Sequence, residues 1–168
     1  AGSAVSIYDD KLVSPWINAS WGAVNTYISA EQVFEGSSSI KSVQNAWGSI
    51  SVHSGTWYSP VGVNTSGYDS VRFAVYPEEA GLSLAVWFDN DIGGTFPKVM
   101  KSNIPADRWT LISIPVAALN AGGQIVHQLN IQNYTSQLRV YYADRVVFGV
   151  RATALSLSPP DSVPVEAT

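Results

Sequence analysis

Almost every apolar stretch of this chain alternates with period two, which confines it to a fold built from strands. Alternation with β-branched and aromatic enrichment runs through Val5–Asp10, Ser39–Val43, Trp47–His53, Ser70–Tyr76, Leu82–Phe88, Phe96–Lys101, Trp109–Ile114, Ile125–Ile131 and Leu138–Phe148. Turn-forming clusters separate these runs, among them Glu35-Gly36-Ser37-Ser38, Ser66-Gly67, Pro77-Glu78-Glu79-Ala80-Gly81, Gly93-Gly94 and Ala121-Gly122-Gly123. One short helical turn is expected at Val116–Leu119. The pattern predicts an all-β domain over residues 1–152, a two-sheet antiparallel β-sandwich of jelly-roll type. Residues 153–168 are rich in Pro and Ser and lack periodicity, so they read as a linker or tail of a module within a longer extracellular protein.

Two of the runs set a tryptophan on the side away from the core. In Trp47–His53, Ile50 and Val52 form one side, and Trp47, Ser49, Ser51 and His53 the other. In Leu82–Asp89, Leu82, Leu84, Val86 and Phe88 form the apolar side, leaving Ser83, Ala85, Trp87 and Asp89 opposite. The same rule turns Arg72 and Tyr76 outward, and likewise Gln128, Asn130 and Gln132. Trp47, His53, Arg72, Tyr76, Trp87, Asn130 and Gln132 are thereby expected on one polar face, provided that their strands are neighbours.

Indole rings among hydroxyls and amides suit a flat, hydroxyl-rich ligand. The ring covers the apolar C–H side of a sugar, and amide or guanidinium groups reach its hydroxyls in plane. Each residue also has a plainer reading: burial for a tryptophan, solvated surface for Arg72, Asn130 and Gln132, and a hydrogen-bonded surface group for His53. Trp16 and Trp109 read as packing residues, Trp57 as the rim of a site or a cap on the sandwich, and Trp21 as a weaker candidate.

Composition narrows the partners. Charged residues make up 13% of the chain, against about 25% in an average protein, and 22 Ser and 8 Thr carry the solubility instead. A net charge of −4 with 9 scattered basic residues offers no patch for nucleic acid. No apolar run approaches the ~18 residues needed to cross a bilayer, so no membrane partner is expected. The absence of cysteine excludes disulfides and thiol chemistry. Sequons at Asn18, Asn64 and Asn133 are no more than chance supplies and leave glycosylation open.

The signals for catalysis are thin. A glycosidase needs two carboxylates roughly 5–9.5 Å apart across the bond it cleaves. Most acids here fall in turns or at strand ends, and only Asp89 falls on the aromatic face. There is no His-Glu-x-x-His run, no Gly-x-Ser-x-Gly elbow and no phosphate-cradling glycine loop. Asp9 and Asp10 end the first run and Asp144 interrupts the last, which points to calcium if those strands lie side by side and carbonyls of Glu35–Ser38 complete the shell. Salt bridges from Asp10 or Asp144 to Lys11, Arg139 or Arg145 explain the same acids equally well.

Three passages carry a family resemblance. They are Val5-Ser6-Ile7-Tyr8-Asp9-Asp10-Lys11-Leu12 with Trp16 and Ser20-Trp21-Gly22; Val33-Phe34-Glu35-Gly36-Ser37-Ser38-Ser39-Ile40-Lys41-Ser42-Val43; and Leu138-Arg139-Val140-Tyr141-Tyr142-Ala143-Asp144-Arg145-Val146-Val147-Phe148. Together they resemble the jelly-roll carbohydrate-binding modules attached to secreted polysaccharide-degrading enzymes. The resemblance implies a non-catalytic, secreted module that holds a catalytic domain of the same parent chain near a polysaccharide, with a β-glucan among the candidates. It also implies a sugar site on the concave face or at the loop tips, and a structural Ca2+ held by Asp10 and Asp144, with Asp9 as a further candidate. A jelly-roll polysaccharide lyase or hydrolase, and a structural or adhesive sandwich, are the alternatives.

Overall fold

The computed structural model describes residues 4–94 and 96–150, so the expected tail at 153–168 lies outside the described residues. The strands are β1 (Val5–Tyr8), β2 (Trp16–Asn18), β3 (Trp21–Ser29), β4 (Ser39–Ser54), β5 (Val63–Asn64), β6 (Ser70–Pro77), β7 (Leu82–Asp89), β8 (Val99–Ile104), β9 (Thr110–Pro115), β10 (Ile125–Val126), β11 (Gln128–Asn133) and β12 (Arg139–Gly149). All pair antiparallel.

The main sheet runs β8-β7-β11-β4-β12-β6-β9, with β1 on β12 and β2 and β3 on β4. It folds over itself into two layers because β4 belongs to both. Ser39–Gln44 of β4 pair with β12 and with β3, whereas Ser49–Ser54 pair with β11 and with β2. The all-β sandwich expected from alternation is therefore present. Its layers meet through Phe88 of β7, stacked on Phe148 of β12 at 5.7 Å, and through Trp16, 6.2 Å from the same ring. Ile50, Val52, Leu129, Ile131, Val86 and Phe88 face Val71, Phe73, Val75, Ile112 and Ile114 in one core.

The departures from the sequence pattern have local causes. Ser39–Val43 and Trp47–His53 are one strand, joined across a bulge. Between Ala23↔Gln44 and Trp21↔Ser49, β3 advances two residues while β4 advances five (23 − 21 against 49 − 44). The excess is absorbed where Trp47 takes a φ of 65°, a left-handed conformation uncommon for a tryptophan. β8 starts at Val99 rather than Phe96, because Pro97 has no N–H to give a ladder. Ile125–Val126 leave the sheet to pair with Val63–Asn64, so the expected Ile125–Ile131 strand divides at His127. Val116–Asn120 form successive turns, with Ala118 N–H on the Pro115 carbonyl at 3.0 Å, instead of a helix.

The bulge closes tightly on β3. Gly48 approaches Gly22, and a Cβ at position 48 would overlap the Gly22 carbonyl. Gly48→Ala is expected to lower the unfolding free energy by about 2 kcal/mol in a denaturant titration, since a backbone carbonyl cannot yield as a flexible side chain does. Stability equal to that of the unmodified chain would show that β3 and β4 separate at no cost.

Candidate functional site

The outward face of β3, β4, β11, β7 and β8 is built row by row from the register. Trp21 pairs with Ser49, Ser49 with Gln132, Gln132 with Ala85, and Ala85 with Met100. The next row joins Ser51, Asn130 and Trp87, and the third joins His53, Gln128 and Asp89. Their chain neighbours Ile50, Val52, Leu129, Ile131, Val86 and Phe88 occupy the core, so alternation puts all three rows on the opposite surface.

The polar members of these rows form a floor that is bonded within itself. Ser49 Oγ lies 3.1 Å from Ser51 Oγ, and Ser51 Oγ donates to Asn130 Oδ1 at 2.7 Å. Gln128 Nε2 donates to the same Oδ1 at 2.8 Å, and Asn130 Nδ2 donates to Asp89 Oδ2 at 2.8 Å. Low-dielectric burial makes a closed network of this kind rigid, and it leaves Asn130 with both amide atoms engaged. Gln132 is different. Its Nε2 donates to the Trp47 carbonyl at 2.8 Å, while its Oε1 is buried without a partner among the described residues.

Aromatic side chains stand above this floor. Trp21 is 40% exposed and Trp47 46%, and Trp21 Nε1 donates to the Trp47 carbonyl at 3.1 Å. Trp47 meets Tyr134, itself 40% exposed, edge-on at 5.0 Å. Trp87 lies on the expected face but is only 9% exposed, because Trp21 packs 6.0 Å away and Lys98 Nζ lies 4.5 Å over its ring. At the far end of the face Trp57, 62% exposed, stacks on His53 at 4.0 Å.

The candidates therefore divide. Trp47 is open, though by virtue of its bulged backbone and not of simple alternation. Trp87 and Gln132 are on the face, the first as support for Trp21. His53 is fully buried: Nδ1 lies 2.6 Å from the Gly55 carbonyl and Nε2 3.0 Å from Asp91 Oδ1. Both ring nitrogens face oxygen, so the ring is held between the Gly55 carbonyl and the Asp91 carboxylate. His53 and Asn130 thus hold the floor and its loops together. Arg72 and Tyr76 do not join the others. They stand on β6 in the second layer, where Arg72 Nε donates to Ser70 Oγ at 2.9 Å and Tyr76 packs against Trp109 and Tyr142 at 5.5 and 5.9 Å. The alternation was right about their direction but could not tell which layer β6 enters.

Sequence reasoning undervalued Trp21 and missed Tyr134 and Lys98. Tyr134 continues the series Gln128, Asn130, Gln132 by one more step of two, so extending the alternation past the strand end finds it. Lys98 comes opposite Trp87 only through the β7–β8 register, which one sequence does not contain.

Of the three acids Asp9, Asp10 and Asp144, two bond to the turn after β3. Asp144 Oδ2 accepts the Phe34 and Glu35 amides at 2.9 and 3.1 Å, and Asp10 Oδ1 accepts those of Ser37 and Ser38 at 2.8 and 3.0 Å. The Ser37 and Ser38 amides hold Asp10 below the ordinary carboxylate range, while burial, and then the charge of Asp10, push Asp144 up. Asp9 turns away to Arg145, 2.9 Å distant, and Arg145 also reaches Glu35. Calcium favours six to eight oxygens. The turn presents amide hydrogens to both carboxylates, and among the described residues no three acidic or histidine side chains gather to hold a metal. Two carboxylates on one turn are what the chain offers an ion there.

No family model and no curated protein matches this chain. Its fold is shared with solved family 29 carbohydrate-binding modules. A variant of CBM29-2 complexed with mannohexaose superposes with a TM-score of 0.61 at 13% identity over 89% of this chain and 94% of the other. A variant complexed with cellulohexaose gives 0.62 at 14% identity, covering 88% and 92%. CBM29_1 from Piromyces equi gives 0.58 at 14%, covering 87% and 89%. These are β-sandwich modules, and the likeness establishes the jelly-roll architecture of this chain.

The burial of Trp87 gives the two central indoles different roles in stability. Trp87→Ala is expected to cost about 3 kcal/mol, as a cavity opens beneath Trp21, and Trp47→Ala less than about 1 kcal/mol. Equal costs in chemical denaturation would contradict the assignment of Trp87 as support and Trp47 as surface.

Proposed function

We propose that this chain is a non-catalytic polysaccharide-binding module whose ligand lies along the face of Trp21, Trp47 and Tyr134. The observation that carries this reading is the juxtaposition of three part-exposed aromatic rings with a hydroxyl- and amide-lined floor on one sheet face. The rings cover the C–H faces of successive sugars. Two variants of a module of like fold are complexed with mannohexaose and cellulohexaose, which supports an extended polysaccharide, a β-glucan among the candidates, as the ligand class. The acids of this face serve as structural acceptors: Asp89 takes Asn130 Nδ2, and Asp91 takes His53. That arrangement favours binding over cleavage. Secretion, and attachment to a catalytic domain in the same parent chain, belong to the same proposal.

Affinity electrophoresis in gels containing cellulose derivatives, glucomannan or other polysaccharides tests the assignment. The unmodified chain is expected to be retarded by at least one polymer without releasing reducing ends. Trp47→Ala is expected to lose about tenfold in affinity, a loss of roughly 1.4 kcal/mol of stacking, with its melting temperature kept. Undiminished retardation of Trp47→Ala would remove the platform from the site, and release of sugar ends would make the chain an enzyme.

Structural calcium at Asp10 and Asp144 is a separate proposal, supported by two like-charged carboxylates meeting on one turn. An ion there would neutralise their repulsion. If it binds, EDTA lowers the unfolding temperature and added calcium restores it; an unchanged temperature assigns the turn to its amide hydrogen bonds alone.

A further inference from the structure

Lys98 is set apart from the other described cations by the two aromatic rings under its ammonium, a feature that the lack of an ion pair, which Lys11, Arg72, Lys101 and Arg108 share, does not supply. Lys41 pairs with Glu31, Arg139 with Glu79, and Arg145 with Asp9 and Glu35. Lys98 has no ion-pair partner among the described residues. Its Nζ lies 4.5 Å from the centre of the Trp87 ring and 5.6 Å from that of Tyr134. The ladder sets it there: Val86 pairs with Val99, and the next positions outward are Trp87 and Lys98.

An ammonium over a ring and a sugar stacked on that ring compete for the same π surface. A neutral saccharide finds the Trp87 ring already covered, by Trp21 and by the ammonium. An anionic saccharide has no such conflict. The ammonium stays over Trp87 and Tyr134 and binds the anion, while the sugar stacks on the open rings of Trp21, Trp47 or Tyr134. The acids of the face, Asp89 and Asp91, are tied to Asn130 and His53, in the row that ends at His53 and the loop beyond it. They leave the ammonium without a built-in counter-charge.

From this we infer that the platform selects polysaccharides bearing anionic groups, a uronate or a sulfate ester, and that Lys98 is its specificity-determining residue. The inference rests on the glycan-binding reading above and adds the ligand's charge to it. The overall charge of −4 opposes any unspecific attraction to a polyanion, so a preference of this kind has to come from the site.

Affinity electrophoresis of the chain, of Lys98→Gln and of Trp47→Ala in gels of polygalacturonate, a sulfated galactan and neutral glucomannan tests it. The unmodified chain is expected to bind one of the anionic polymers about three- to fivefold more tightly than glucomannan, the yield of one exposed ion pair. The preference should shrink in high salt, and the polymer retained identifies the anion. Lys98→Gln should lower binding of the anionic polymer to the level of glucomannan and so abolish the preference. Equal or weaker binding of the anionic polymers, or a Lys98→Gln loss that is the same on all polymers, would overturn the inference while leaving the glycan reading intact. A folded chain retained by none of the three polymers would overturn both.

Discussion

The structure depends on the sharing of one strand between two layers. β4 gives its first half to β12 and its second half to β11, and the change of direction is taken up in the bulge that ends at Gly48. Two glycines, at 22 and 48, let β3 and β4 touch there, where neither position has room for a side chain pointing at the other backbone. The same constraint presents the site. The bulge lifts Trp47 out of the sheet, and its carbonyl then receives the Trp21 indole and the Gln132 amide. Fold and platform are thus one device.

The face divides its labour between floor and rings. Serine, asparagine and glutamine would be costly to bury singly, but the central groups are bonded to one another, within β4 and β11 and across from Ser51 to Asn130 to Asp89. That closed network fixes the spacing of β4, β11 and β7 and holds Trp87 under Trp21 and Lys98. The open rings can then be supported without the floor itself meeting the ligand. A platform pre-organised in this way loses little conformational entropy when a flexible saccharide settles on it.

A similar logic governs the opposite end. Asp10 and Asp144 bind the turn between β3 and β4 through four backbone amides, so the chain's first and last strands are stitched to the loop that feeds β4. Gly36 belongs to that stitch, because a Cβ there would strike the Asp10 carboxylate. The buried seam of Gln44, Tyr141 and Ser42, with Gln44 Nε2 2.6 Å from Tyr141 Oη, reaches β11 where Gln44 Oε1 accepts the Asn133 amide and Tyr141 Oη donates to the Ile131 carbonyl.

By itself the sequence determined the all-β class, most strand positions and which way each side chain points, because strand alternation is local and repeats every two residues. Trp47, Trp87, Asn130 and Gln132 were legible as outward-facing for that reason, and so were Arg72 and Tyr76. Only the tertiary structure decided which strands became neighbours. It sent Arg72 and Tyr76 to the second layer, brought Trp21, Tyr134 and Lys98 beside Trp47 and Trp87, and enclosed His53 beneath Trp57. Direction is fixed by the backbone within one strand, whereas adjacency is fixed by hydrogen bonds between residues distant in sequence, and those pairings leave no periodic trace in a single chain.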